Sequence, residues 1–224
     1  RERGSDRDGA PERDRDQGPA GIRRALDRVV AGGGGPGVVA EFRDARSAPW
    51  SGTAGVADLA TGRERRPGEH FRIGSLTKAF TGTVVLQLVA EHRIGLDDPV
   101  RRYLPGLVGD PLVTIRTLLN HTSGLYEFND VPRVLAPYLS GDLGYVWSPR
   151  RLVRLALTYD LMARPGTEYH YSNTNYLLAG LVVQAVTGRR LADVLRHRVF
   201  APARLTSTTF TPSRTLPAPA AHGY

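Results

Sequence analysis

Ser75 and Lys78 stand three residues apart, at the point where an irregular approach rich in Gly and Pro gives way to a long run of periodic apolar residues. The change of pattern predicts that Ser75 opens a helix. Positions i and i+3 share one face of a helix, so we expect the Lys78 amine beside the Ser75 hydroxyl. Because a hydroxyl is a weak nucleophile until a neighbouring base takes its proton, this pair favours nucleophilic catalysis.

Lys78 is the only lysine of the chain: 30 residues are Lys or Arg, and the other 29 are Arg. Arginine does not give up a proton in a protein, whereas a buried lysine can become neutral and act as a base. A Ser-x-x-Lys tetrapeptide by itself is usually an ordinary solvated helix face. The survival of a single amine one helical turn from a serine favours the catalytic interpretation.

A second polar cluster occupies residues 165–176, where three tyrosines and two asparagines precede another apolar-periodic run. Within it, Tyr171 and Asn173 are spaced to point a phenol and an amide in the same direction. A phenol can relay protons, and an amide can hold a substrate carbonyl. Taken alone, Ser172 or Asn173 is more simply the N-cap of a helix. In combination with the Ser-x-x-Lys pair, the functional interpretation is favoured.

Other kinds of catalytic site are not indicated. The sequence has no Gly-x-Ser-x-Gly elbow of the kind that α/β-hydrolases use. It has no cysteine, which excludes thiol chemistry and Cys-based zinc sites. Its six histidines show no H-E-x-x-H or comparable ligand spacing, so we expect no metal and no cofactor.

The net charge of +8 invites a nucleic-acid partner, but the distribution of charge argues against one. The arginines are scattered singly or in pairs and form no basic run interleaved with aromatic residues. We therefore expect a solvated surface and no nucleic acid. No run approaches the roughly 20 apolar residues that a membrane-spanning helix needs, so we expect no membrane span. The sequence does not predict an oligomeric state.

The amino-terminal region is predicted to begin with a disordered, charged tail. Residues 1–19 alternate Arg with Asp and Glu and contain no apolar residue larger than Ala, so they cannot bury enough surface to order themselves. Order is expected from about Ala20, with a helix over 22–30. Residues 38–43 and 52–60 then predict two antiparallel strands, joined by a turn around Ala48 and Pro49.

The remainder of the chain is predicted to be mostly helical, from its apolar periodicity and its Gly and Pro stops. Residues 206–211 offer one short candidate strand. The predicted helices cover residues 75–92, 148–160, 171–186 and 190–200.

The order of these motifs resembles the penicillin-recognising serine hydrolases, in the branch of the class C β-lactamases and the secreted D-alanyl-D-alanine carboxypeptidases. The resemblance covers roughly residues 20–224. Ser-x-x-Lys at 75–78 is followed by Leu-Leu-x-His-Thr-Ser-Gly-Leu at 118–125 and by Tyr-x-Asn at 171–173. The flanks of the first and last motifs look most like the streptomycete carboxypeptidase. In the resembling family the turn that holds His121 and Ser123 is structural, so we do not interpret that pair as a catalytic dyad.

The resemblance implies acyl transfer within an α+β fold (an α/β sandwich), with an antiparallel sheet, its helices and an all-helical region. Ser75 would attack a D-alanyl-D-alanine peptide or a β-lactam and form an acyl-enzyme. Lys78 would be the base, Tyr171 would relay the proton to the leaving amine, and Asn173 would bind the substrate amide. The choice of base between Lys and Tyr is left open. The Ser75 N–H would be one oxyanion-hole donor. The partner would be a small-molecule or peptide substrate.

One part of the family pattern is expected but absent. The family carries a third motif, Lys or His followed by Thr or Ser and Gly, on the order of a hundred residues beyond Tyr-x-Asn. We therefore expect the domain over 20–224 to be incomplete, lacking its C-terminal strands, weakly active and prone to aggregation. The resemblance also implies a secreted or cell-envelope protein, although the sequence starts with no signal peptide.

Three functions remain open from the sequence. The leading one is a serine acyl-transfer hydrolase, as a D,D-carboxypeptidase or a β-lactamase. An esterase on the same scaffold is the second. A catalytically inactive remnant that binds cell-wall peptides is the third.

Overall fold

The computed structural model describes residues 19–43, 48–211 and 215–223. The predicted disordered tail lies outside the described residues, except for Pro19, which begins a helix. The chain divides into two compact units. We call residues 1–72 with 213–224 the sheet unit, and residues 73–212 the helical unit.

The sheet unit contains one helix and a small antiparallel sheet. Helix α1 (Pro19–Ala31) precedes strand β1 (Gly37–Phe42), which pairs in antiparallel register with β2 (Trp50–Asp58). Both predicted strands are confirmed, while residues 44–47 of the predicted turn between them lie outside the described residues. A third strand, β3 (Arg63–Glu64), pairs with the other edge of β2. Two residues are too short a run for alternation to indicate a strand.

The helical unit is built from six α-helices within the described residues, together with short 3₁₀ and π turns. Its main core consists of fully buried aliphatic side chains from several of these helices, among them Val84, Leu88, Leu118, Leu178 and Val182. The helices are α2 (Thr77–Ala90), α3 (Ile115–Leu119), α4 (Pro132–Leu139), α5 (Pro149–Ala156), α6 (Asn173–Thr187) and α7 (Leu191–Leu195).

The start of one helix in this unit agrees with the prediction, and the start of another differs from it. Ser148 caps α5 as its pattern predicts, because its side chain accepts a hydrogen bond from the Arg151 N–H at 3.3 Å. Helix α6, in contrast, begins at Asn173 and not at Tyr171, and it ends at Gly188 in the left-handed conformation. Tyr171 therefore lies in the extended segment that precedes the helix.

Two further predictions needed correction. The predicted helix over 190–200 consists of α7 followed by a π-helical turn at Arg196–Phe200, so its hydrogen-bond pattern changes midway. Residues 206–211 form turns and irregular backbone, and the short strand predicted there is wrong. A run of Thr residues has strand propensity, but propensity alone forms no strand where no partner edge pairs with it.

The described residues thus combine an antiparallel sheet and its helix with a larger helical region, as the α+β prediction requires. Within the described ranges, no helix is both long enough and apolar enough to cross a membrane.

Candidate active site

Ser75 occupies the middle of a 3₁₀ turn, Gly74–Leu76, that runs directly into α2. The predicted helix start is thus confirmed, with a tighter first turn than an α-helix. Gly74 has a φ of 51°, in the left-handed region that glycine enters without strain. The N–H groups of a first helical turn have no acceptor within the helix. The Ser75 N–H belongs to this first turn, which is the position that the oxyanion-donor hypothesis assumes.

Lys78 lies in the first turn of α2 and reaches the Ser75 hydroxyl, as the i, i+3 spacing predicts. Its Nζ donates to Ser75 Oγ at 3.1 Å and to Asn173 Oδ1 at 2.5 Å. An ammonium has three protons to donate and no lone pair to accept with. Lys78 therefore links the nucleophile candidate to the start of α6.

Tyr171 completes the cluster from the segment before α6. Its Oη lies 2.8 Å from Ser75 Oγ, and 3.5 Å from Asn173 Oδ1. The Lys78 Nζ lies 4.8 Å from the centre of the Tyr171 ring. The structure thus brings together all four residues that the sequence singled out, although 96 positions separate Ser75 from Tyr171.

The electrostatics of the cluster bear on the protonation of Tyr171. The hydrogen bond from Lys78, followed by that with Ser75, lowers the pKa of the Tyr171 phenol, while partial burial and the charge of Glu127 act in the opposite direction. A phenol with a lowered pKa holds a larger fraction of phenolate near neutral pH. Because 44% of Tyr171 is exposed, a proton can also exchange with solvent there.

The start of α6 is anchored by the segment that follows the His-Thr-Ser-Gly turn. Glu127 accepts a hydrogen bond from the Asn173 N–H, one of the N–H groups that lack a partner within the helix. Ser172 and Thr174 both donate their hydroxyls to the Tyr126 carbonyl, at 3.2 and 2.7 Å. Ser172 is the N-cap residue by position, but its side chain does not cap the helix. Glu127 performs that role, and no pattern in the sequence around it indicated this.

The His-Thr-Ser-Gly turn packs directly against the Tyr-x-Asn segment. Ser123 is fully buried and donates to Asn175 Oδ1 at 2.5 Å. Gly124 has a φ of 70°, and a Cβ there would lie 2.0 Å from the Ala163 carbonyl oxygen, so only glycine fits. Ser123 is therefore a buried structural residue and lies in no position to attack a substrate.

The imidazole of His121 lies against the Tyr171 ring. The ring centres are 4.5 Å apart at an interplanar angle of 24°, which is a stacked pair. His121 is 8% exposed and has a φ of 60°. The sequence placed His121 in a structural turn but gave no reason to expect it beneath the phenol.

A cavity of about 650 Å³ opens beside the cluster. Ser75, Lys78 and Asn173 form one end of it. Apolar side chains cover much of the remainder, including Phe128, Leu177, Leu181, Leu191 and Phe210. Such a combination of a few convergent polar groups with an apolar wall is typical of small-molecule sites.

Several known proteins are similar to this chain in sequence or in fold. A D-stereospecific amidohydrolase from Streptomyces sp. has a similar structure, with a TM-score of 0.82 and 40% sequence identity over 91% of this chain and 60% of that one. The D-aminopeptidase of Brucella ovis is 32% identical over 162 residues, which are 72% of this chain and 30% of the relative. Penicillin-binding protein 4* of Bacillus subtilis is 28% identical over 165 residues, 69% of this chain and 33% of the relative.

The chain spans about a third of the length of these curated relatives. A family model described as Beta-lactamase matches residues 22–224, which include the whole cluster around Ser75. Together with the fold and the order of the motifs, this match shows that the chain belongs to the beta-lactamase family.

Proposed function

We propose that the protein is a serine hydrolase that cleaves an amide or ester bond at the carbonyl of a D-configured residue, through an acyl-enzyme on Ser75. The observation that carries the proposal is the contact of Ser75 Oγ with both Tyr171 Oη and Lys78 Nζ. A nucleophile that touches a proton acceptor and a cation in this way is equipped for acyl transfer.

In the first step the Tyr171 phenolate takes the proton of Ser75, and Ser75 Oγ bonds to the carbonyl carbon of the substrate. The Ser75 N–H donates to the oxygen on which negative charge develops. As the tetrahedral intermediate collapses, the bond to the leaving amine or alcohol breaks, and Tyr171 returns the proton to that group. Asn173, which lines the cavity, holds an amide of the substrate in this proposal.

In the second step water attacks the ester carbonyl. Tyr171 takes a proton from that water, and the bond between the carbonyl carbon and Ser75 Oγ breaks. Ser75 then recovers the proton from Tyr171, which restores the starting state. Lys78 stays a cation throughout and stabilises the phenolate. This role differs from the general base that the sequence resemblance implies. A neutral amine also has two N–H groups for these two contacts, so the choice between the roles is decided by the Lys78→Arg variant.

The preference for a D-configured residue is supported by similar proteins, which include a D-aminopeptidase and a D-stereospecific amidohydrolase. D-alanyl-D-alanine peptides fall within this class, so a D,D-carboxypeptidase is one form of the proposal. The apolar wall of the cavity supports an apolar side chain on the acyl residue. A location in the cell envelope or outside the cell, which the resemblance implies, is part of the same proposal.

A matched panel of substrates tests the proposal. We expect the protein to release p-nitroaniline from D-alanine and D-phenylalanine p-nitroanilides and not from their L counterparts. The Ser75→Ala variant should lose this activity with an unchanged circular dichroism spectrum. Equal rates on the D and L substrates would overturn the stereochemical part. Full activity in Ser75→Ala would overturn the mechanism.

A further inference from the structure

His121 is buried and contacts the proposed base through a stack of the two rings. Its ring stacks on Tyr171, and two more tyrosines enclose it: Tyr176 at 5.4 Å and Tyr169 at 6.0 Å between ring centres. The imidazole thus supports one face of the Tyr171 ring. Tyr171 is 44% exposed, so its stacking contact with His121 limits where the phenol can move.

The hydrogen bonds around His121 define its tautomer. Ser123 donates its hydroxyl proton to Asn175 Oδ1, which turns the Asn175 amide nitrogen toward His121. That nitrogen lies 3.2 Å from His121 Nδ1, and the Ser172 N–H donates to the same atom at 3.1 Å. Two donors that point at Nδ1 require it to be an acceptor. The ring is therefore neutral and carries its proton on Nε2.

The backbone of His121 is also fixed. Its carbonyl accepts the His170 N–H at 2.9 Å, which joins the turn to the residue before Tyr171. Its φ of 60° lies in the left-handed region, where a residue other than glycine is uncommon and where His, Asn and Asp are the best tolerated. Residues persist in this region only where the surrounding structure fixes them, and they are found most often at functional sites.

We propose that His121 is a positioning residue for Tyr171: its neutral imidazole, fixed by Ser172 and Asn175, holds the phenol at hydrogen-bond distance from Ser75. The proposal rests on the proposed function, because it gives Tyr171 the role of base. His121 touches neither Ser75 nor the space beside it and acts only through the ring it supports. A phenol displaced by 1 Å would lose much of its effect, since misplacement of that size costs about 100-fold in rate.

The charged and titratable groups around the imidazole favour its neutral form on balance. Burial, followed by the charge of Lys78, lowers the pKa of His121, whereas the charge of Glu127 raises it. The other titratable side chains that face it are the tyrosines Tyr169, Tyr171 and Tyr176. A proton on Nδ1 would point at two other donors, the Ser172 N–H and the Asn175 amide N–H, and would be repelled by both. Protonation of His121 would therefore displace the ring and release Tyr171.

The test uses His121→Asn, because Asn accepts the left-handed backbone and offers Oδ1 near the position of Nδ1, but has no ring face. His92→Asn is the matched control: His92 also has a positive φ, 55°, and is exposed beyond the far end of α2. Two quantities are measured in wild type and both variants. One is the rate at which a fluorescent penicillin acylates Ser75, and the other is the titration of Tyr171 by ¹³C NMR of labelled tyrosine, assigned with Tyr171→Phe.

In His121→Asn we expect acylation to slow by about 100-fold and the pKa of Tyr171 to rise toward its ordinary value. His92→Asn should match wild type in both measurements. In wild type, the ¹⁵N spectrum of the His121 ring should show a proton on Nε2 and none on Nδ1. Unchanged acylation and an unchanged Tyr171 titration in His121→Asn would overturn the proposal, as would a proton on Nδ1.

Failure of the proposed function would look different. If wild type neither hydrolyses the D-configured p-nitroanilides nor is acylated at Ser75, the hydrolase mechanism falls. The Tyr171 titration and the His121 tautomer still decide whether His121 positions the phenol, since neither measurement needs turnover.

Discussion

Different interactions stabilise the interior of the helical unit and the interior of the sheet unit. In the helical unit, α2 and α6 are packed by a large cluster of aliphatic side chains, and Leu88, Leu178 and Val182 are fully buried. Among the described residues of the sheet unit, only Leu26 and Ala57 are buried apolar side chains. The sheet unit buries charge instead: Glu69 and Arg65 have side chains only 1% and 4% exposed.

The polar network of the sheet unit centres on Glu69. Its carboxylate accepts from the Arg65 guanidinium at 2.5 Å, from the Arg66 N–H at 3.0 Å and from Arg63, which also donates to the Ala220 carbonyl at 2.7 Å. A buried carboxylate is stable only when such partners replace its water. The contrast suggests why the candidate site is built on the helical unit: close-packed helices fix side chains to the precision that catalysis needs.

The largest expected effect is on the network of the sheet unit. Glu69→Gln removes the negative charge that Arg65 and Arg63 share and leaves the buried Arg65 guanidinium without its counter-charge. Breaking a buried ion pair in this way costs about 3–5 kcal/mol of unfolding free energy. Glu64→Gln is the control, since Glu64 is an exposed neighbour in β3. Hydrogen exchange should become faster in β2, and acylation of Ser75 should not change.

The same carboxylate gives the sheet unit a dependence on acid. Burial raises the pKa of Glu69, but the hydrogen bonds from Arg66, Arg63 and Arg65 outweigh it and lower the pKa from 4.5 to about 2. A carboxyl whose pKa is lower in the folded than in the unfolded state stabilises the fold at pH values above the unfolded-state pKa. This contribution is lost as pH falls from about 4.5 to about 2. Exchange in β2 should accelerate over that range in wild type and not in Glu69→Gln. Equal acceleration in both would show that another group controls it.

Core truncation should also lower the free energy of unfolding, and the size of this effect should differ between the units. Leu178→Ala removes a fully buried side chain from α6, and we expect a cost near the upper end of about 2–5 kcal/mol. Leu26→Ala in α1 removes a side chain that is 7% exposed and has few buried apolar neighbours, so its cost should lie near the lower end. Urea titrations of both variants measure the difference. Equal costs would remove the contrast between the units.

The smallest expected effect on folding, and a large one on activity, comes from Lys78. Lys78→Met removes the cation that lowers the pKa of Tyr171, so the acid limb of the rate profile should move to higher pH. At pH 7 Tyr171 would then be protonated and could not accept the proton of Ser75. The acylation rate should therefore fall by about 100-fold or more, which is the usual contribution of a proton acceptor. Lys78→Arg keeps the charge and cannot act as a base. If Lys78 serves as a cation, Lys78→Arg retains more activity than Lys78→Met. Equal loss in the two variants would instead assign the base to Lys78.

The sequence singled out the four clustered residues but not the residues that anchor them. Sequence reasoning could find four residues because their types are unusual and their spacing brings their functional groups together: Ser75, Lys78, Tyr171 and Asn173. Glu127 could not, because a single acid in a loop has no pattern until the fold brings it to the start of α6. His121 was visible within a turn motif, but its stacking on Tyr171 depends on a backbone bond between His170 and His121, which only the tertiary structure shows.

The fold was predictable where the apolar periodicity is strong. It was not predictable where a strand forms only because the edge of another strand pairs with it. The helices α2 and α6 follow from their apolar repeats, and β1 and β2 follow from alternation. Strand β3 is two residues long and exists because Arg63 and Glu64 lie along the free edge of β2. The strand expected over 206–211 fails for the converse reason, since its Thr-rich sequence finds no edge to pair with.

The central claim is that the contacts of Ser75 with Tyr171 and Lys78 make it a nucleophile. The most direct measurement treats the protein with a fluorophosphonate and locates the adduct by peptide mass spectrometry. We predict one adduct, on Ser75, that forms much more slowly in Tyr171→Phe. Labelling spread over the exposed serines at equal rates, or an adduct on Ser75 that forms as fast in Tyr171→Phe as in wild type, would contradict the account.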